Sequence, residues 1–200
     1  MNNMNGEHAK WCKNVIIADA DYLDRVAFNL SVNFERMLGR RIPPADLAHW
    51  AVCVALDGGL REGRHQTQLV LIHDKEHARL ENFCPSAYDE ELNGQAFNDD
   101  KLGEFLVSSY PVEALVSKED FMLDIVRTAC NTEETHRIMV IPNAEEGELY
   151  DRLRKALHEM DDEKRVTLFA MQPLEGGNFK QEILGYSLMN ALGIKADEIK

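Results

Sequence analysis

The sequence predicts an α/β fold: a mostly parallel sheet of about five strands with helices on both faces. Three observations carry this expectation. Short runs of branched apolar residues, among them NVIIAD at 14–19, TQLVLIHD at 67–74, RIMVIP at 137–142 and RVTLFAM at 165–171, alternate with stretches of helical periodicity. Such alternation calls for right-handed crossovers that cover the sheet on both sides. The chain has 200 residues, 44% of them hydrophobic, enough for one core and too few to demand two domains.

Residues 1–12 are polar and expected to be loosely ordered, with a single domain over 13–200. The run Val15–Ala18 is the first strand. After Asp21, Leu23, Val26, Ala27, Leu30, Phe34 and Met37 recur at helical spacing, and Gly39 offers a stop. A second helix enters through Pro44, places Leu47, Trp50, Ala51, Val54 and Ala55 on one face, and ends at Gly58 and Gly59. The second strand, TQLVLIHD, ends in Asp74.

From Lys75 to Asn98 the pattern weakens, and Pro85 and Gly94 point to a long irregular excursion with one short helix. Its Leu80, Phe83 and Tyr88 are candidates for an exposed dimer surface. Beyond it the reading is KLGEFLVSS (101–109) as helix, VEALVS (112–117) as strand, DFMLDIVRTAC (120–130) as helix and RIMVIP as strand. EEGELYDRLRKALHEM (145–160) follows as a helix. RVTLFAM is the fifth strand, either parallel or antiparallel at an edge, and FKQEILGYSLMNALG (179–193) is the closing helix.

Charge and cysteines narrow the class. Lys+Arg number 22 against 35 Asp+Glu, a formal net charge of -13 that repels polyanions, so a nucleic-acid partner needs a local basic patch. The compact basic group is Arg36, Arg40 and Arg41, which a solvated helix end also explains. Cys12, Cys53, Cys84 and Cys130 lie far apart, and Cys53 and Cys130 fall on apolar helical faces, which suits reduced core thiols. MNNMNGEHAKWCK lacks the apolar stretch of a signal peptide, and no run is long enough to span a bilayer. The expectation is a cytoplasmic protein without a membrane partner.

The acids at the end of the first strand are the main chemical candidates. Asp19 and Asp21 are spaced to aim at one cation, while the same residues also suit the start of the following helix as caps. Ser117 to Asp120 reads S-x-x-D, and Asn143 with Glu146 reads N-x-x-E, both capping-box-like. His73, Asp74 and His77 form H-D-x-x-H, with a surface pair as the default and a zinc site as the rarer reading. No G-x-S-x-G elbow and no glycine-rich phosphate loop follows a strand. Phe28, Phe34, Trp50, Phe105 and Phe121 fall at helical core spacing and form no stacking platform for bases.

These motifs support a family resemblance. IIADADYL resembles the opening hhhD-x-D-N-L strand of NYN-type members of the PIN-like nuclease superfamily, with Tyr22 where the pattern has asparagine. ALVSKEDFMLDIV…HRIMVIPN resembles their hhhSGDSDF…VxVhG segment, one residue shorter and without its glycine. NDDKLGEFLVSS stands where such proteins place a helix with a further acid, and the likeness covers residues 14–143. It implies a PIN-like, Rossmann-like three-layer sandwich and a divalent-metal-dependent ribonuclease. In that reading Mg2+ or Mn2+ is held by Asp19, Asp21, Asp99, Glu119 and Asp120, with Asp100 as the substitute for Asp99. Asp19 and Asp120 would be catalytic, and Arg36, Arg40 and Arg41 would hold RNA. Two other readings stand beside it. One is a non-catalytic protein-binding or assembly module on the same scaffold. The other is a phosphatase-like hydrolase with Asp19 as nucleophile and Asp21 as acid, against which count the missing lysine turn and Leu23 in place of a threonine.

Overall fold

The computed structural model of the protein describes residues 10–113, 115–160 and 162–199. Along the chain run β1 (Asn14–Asp19), α1 (Ala20–Leu38), β2 (Ala45–Asp46), α2 (Leu47–Asp57), β3 (His65–Asp74), β4 (Phe83–Cys84), a single π-turn (Tyr88–Leu92), β5 (Ala96–Asp99) and β6 (Gly103–Val112). Then come α3 (Leu115–Asn131), β7 (Arg137–Ile141), α4 (Leu149–His158), β8 (Arg165–Ala170), β9 (Lys180–Ile183), α5 (Leu184–Ala191) and a 3-10 turn (Ala196–Glu198).

Among the described residues the main sheet has seven strands in the order β5-β6-β3-β1-β7-β8-β9, two more than the sequence suggests. All neighbours pair in parallel except β5, which lies antiparallel on the outer edge of β6. Numbered by themselves, the parallel strands follow the doubly wound order 3-2-1-4-5-6. Alternate residues of β1 face opposite ways: Ile16 and Ala18 join a core with α1, α2 and α5, and Val15 and Ile17 join one with α3 and α4. Helices therefore cover both faces.

Several expectations change. The stretch 101–109 is not a helix but most of β6. Its burial alternates, with Phe105, Val107 and Ser109 buried and their neighbours half-buried, a period of two that the mixed apolar and polar sequence disguises. Pro111, without an N–H to donate, falls where β6 has outrun β5 and has an open side. VEALVS is not a strand, because β6 ends at Val112 and α3 is already helical at Leu115. The closing segment opens with β9 before it turns helical, and β8 is parallel to β7, so the antiparallel edge belongs to β5.

The excursion is a packed element and not an exposed dimer surface. Leu80, Phe83 and Tyr88 are at most 2% exposed, part of the core under α1 and α2. The Asp24 carboxylate on α1 ties it down by accepting from the Glu81 and Asn82 amides at 3.0 and 2.8 Å. Of the loose segment expected over 1–12, residues 1–9 lie outside the described residues. Trp11 packs on the α3/α4 core, and the Cys12 carbonyl accepts from Thr135 at 3.0 Å. All four cysteines are free thiols, and burial pushes those of Cys53 and Cys130 up to about 11. Among the described residues no helix is long and apolar enough to cross a membrane.

Candidate functional site

In a doubly wound sheet the crevice for a ligand opens where neighbouring strands send their connections to opposite faces, outside the carboxyl ends of the strands. Here that point lies between β1, which leads into α1 on one face, and β7, which leads to α4 on the other. A cleft of about 250 Å3 opens there, lined by Asp19, Lys118, Glu119, Asn143 and Glu146 over an apolar floor that includes Met122 and Leu149.

Asp19 is both the last residue of β1 and the N-cap of α1: its Oδ1 accepts from the Tyr22 N–H at 3.1 Å. Tyr22, in the place of the pattern's asparagine, buries its ring in the core with the Arg25 guanidinium 5.5 Å from its centroid. Asp21 sits two residues on, in the first turn of α1, and is held by three donors. Its Oδ2 accepts from the Asp74 N–H at 2.7 Å and from the Lys118 ammonium at 2.9 Å, and its Oδ1 contacts His77 Nδ1 at 2.7 Å. Lys118 Nζ also lies 3.3 Å from Asp19 Oδ1. The side chains of Lys118 and Asp19 are only 7% and 5% exposed, so this ion pair is buried.

The electrostatics follow from that geometry. Burial raises the Asp19 carboxyl above its ordinary value, against the opposing pull of Lys118 and the Tyr22 amide. Burial acts on Asp21 too, but the hydrogen bonds from Lys118, the Asp74 amide and His77 outweigh it and hold that carboxyl low. For Lys118, burial disfavours the charge, yet Asp19 and Asp21 keep its ammonium above the usual lysine range. His77 is raised by its hydrogen bond to Asp21.

The expected metal ligands divide. Asp19 and Asp21 do converge, and Glu119 reaches the same cleft, where its carboxylate abuts Gly147. Asp120 turns away to an exposed ion pair with Arg152 at 2.8 Å. Asp99 accepts from the Lys101 and Leu102 amides in the tight turn from β5 to β6. It sits beside the start of β3, and Asp74 ends that ten-residue strand, which puts Asp99 roughly 30 Å from the rim. Asp100 shares that turn. The ammonium of Lys118 contacts both carboxylates, 3.3 Å from Asp19 Oδ1 and 2.9 Å from Asp21 Oδ2. Among the described residues no group of three or more His, Cys, Asp or Glu side chains forms a metal-binding cluster.

The arginines expected to hold RNA are also elsewhere. They lie at or beyond the C-terminal end of α1, a 19-residue helix that carries them about 28 Å away from Asp19. Arg40 is tied to Glu198 through two contacts of 3.0 Å and to the Gly193 carbonyl. Asn143 caps no helix: its Oδ1 accepts from the Glu145 amide, and α4 begins only at Leu149. Ser117 and Asp120 lie inside α3 and do not precede it. Phe28 is 53% exposed beside the rim, against its expected core place. His73 stacks on Tyr88 at 3.6 Å between centroids, while His77 alone reaches Asp21.

Lys118 is not among the residues that the acidic motifs of the sequence point to. A signal for it exists: with Met122, Val126 and Ala129 it falls on one stripe of α3, and those three are fully buried. A fully buried lysine on an apolar stripe is usually paired, and the D-x-D turn supplies the carboxylates.

Residues 8–199 match a family of unknown function (DUF6621). No curated protein and no solved structure matches the chain.

Proposed function

We propose that this chain, which belongs to that family, is a non-catalytic protein-binding module on a PIN/NYN-like scaffold. In this reading the acidic centre is neutralised from within. The observation that carries it is the buried Lys118 ammonium, 2.9 Å from Asp21 and 3.3 Å from Asp19. A fixed ammonium removes the repulsion that a divalent ion would otherwise relieve, and it occupies oxygens that such an ion needs as ligands. The doubly wound strand order and the D-x-D turn at the end of β1 support the scaffold assignment.

The cleft beside the pair suits a basic side chain of a protein partner. Glu119 lines it for the charged head, with Glu146, 3.5 Å from Arg25, beside it, and Met122 and Leu149 line it for the aliphatic stem. The net charge of -13 favours approach of a basic partner and disfavours RNA.

The test is cleavage of a labelled single-stranded RNA in Mg2+ or Mn2+ by the wild type and by Asp19→Asn. The expected result is no turnover above buffer in either. Metal-dependent cleavage that Asp19→Asn abolishes would restore the nuclease reading. One observation favours a second reading: Lys118 supplies the lysine that a D-x-D hydrolase requires. Phosphate release from a model phosphomonoester, lost in both Asp19→Asn and Lys118→Met, would select it. Against it, both Asp21 oxygens already have donors.

A further inference from the structure

At the opposite end of the sheet the charge reverses. Lys13 precedes β1, His65 opens β3, Arg137 opens β7, Arg165 opens β8 and Lys180 opens β9, so successive strands start from a basic residue. Asn14, Arg137 and Arg165 are register partners across β1, β7 and β8, on neighbouring strands about 4.8 Å apart. A cleft of about 440 Å3 opens over these starts, its described lining including Lys13, Arg61, His65, His136, Arg137 and Arg165 together with the acid Glu163. A second cleft of about 490 Å3 shares Arg137, Arg165 and Glu163 and adds Lys180, Asp162 and a Lys164 whose ammonium donates to the Thr132 and Thr135 carbonyls.

Placing like charges side by side costs stability. Burial, and then the charge of Arg165, lowers the pKa of Arg137 below the usual arginine value. The groups are nonetheless held in place. Arg137 Nη1 donates to the Gly58 carbonyl at 2.6 Å and lies against Gly59, where a Cβ would come within 2.8 Å of it. His65 Nε2 contacts the Arg61 carbonyl at 2.7 Å, and the buried Asn14 amide donates to the Gln66 carbonyl at 3.3 Å. A tethered Arg137 loses little entropy when an anion arrives, while Lys13, Arg61 and Arg165 are exposed around it.

We propose that this amino-end cleft binds a small phosphate-bearing anion with two or more linked phosphoryl groups. Arg137 and Arg165 would take adjacent phosphoryls, and Lys13 and Arg61 the flanks. Arginine forks match phosphate oxygens, and paired forks on adjacent strands match a chain of them. The cleft has the size of a small-molecule site, and the acidic remainder of the molecule disfavours a long polyanion. The proposal is independent of the Asp19 site, which lies at the other end of the strands.

Calorimetric titration of the full chain with inorganic tripolyphosphate, at constant ionic strength and with sulfate as the comparison, tests it. Arg165 and Arg61 are exposed, so Arg165→Glu and Arg61→Glu should leave the fold intact, and melting curves without ligand check this. The expected result is saturable binding, tighter than sulfate, weakened about tenfold or more by either variant. Three results would overturn it: affinity no greater than for sulfate, affinity unchanged in both folded variants, or tighter binding of a single-stranded oligonucleotide than of tripolyphosphate. The last would assign the face to a nucleic-acid backbone.

Discussion

Two aspartates two residues apart, both at the carboxyl end of a buried strand, cannot both stay charged without a cation. Lys118 is that cation. Removing it leaves uncompensated buried charge, so Lys118→Met should destabilise the fold by about 3–5 kcal/mol in urea melts. Adding Asp19→Asn should recover part of that loss, since the two groups are coupled. A Lys118→Met protein as stable as the wild type would mean that the ammonium does not neutralise the pair. His77 gives a pH signature. Its folded pKa is raised, so its contribution is complete below about pH 6.5, the unfolded value, and disappears as pH rises through the folded value. Asp21 is lowered, so its share is complete above about pH 3.9 and disappears as pH falls through the folded value. The difference in melting temperature between wild type and His77→Gln should thus be largest between those limits and shrink towards alkaline pH. A difference that is flat from pH 5 to 9 would contradict the Asp21–His77 contact.

At the scale of elements, caps and close approaches fix where segments begin and end. Gly39 ends α1 at φ 64 with no atom in the path of a Cβ, so Gly39→Ala should cost about 1 kcal/mol through backbone strain alone. Gly103, at φ 90, meets the backbone of His65 as β6 joins β3, so Gly103→Ala should cost distinctly more. Denaturant melts of the two variants check the order, and equal losses would mean that β6 can shift without penalty. β1, α1, α2, β3, β7, α4 and β8 were legible because each has one dominant period. β6 was not, because LGEFLVSS satisfies helical and alternating templates alike over so short a span. The apolar run VEALVS resembles a strand, yet α3 already begins at Leu115 within it. On the true helix Lys118 is the residue that points inward.

At the scale of the molecule, the sheet order decides which distant residues meet, and no local pattern encodes that order. Asp19 and Lys118 meet because α3 crosses back over β1 to reach β7. Asp99 and the Arg36–Arg41 cluster were plausible by type and fall at the far end of the strands. The convergence of Asp19 with Asp21 was legible, since both lie on one turn, whereas the basic starts of the parallel strands acquire meaning only once those strands are aligned. The measurement that bears most directly on the internally neutralised centre is a Mn2+ titration followed by thermal melting of wild type and Lys118→Ala. No Mn2+-dependent rise is expected for the wild type, and a rise of several degrees for Lys118→Ala, as the ion takes the vacated place between Asp19 and Asp21. A rise in the wild type that Asp19→Asn abolishes would contradict it.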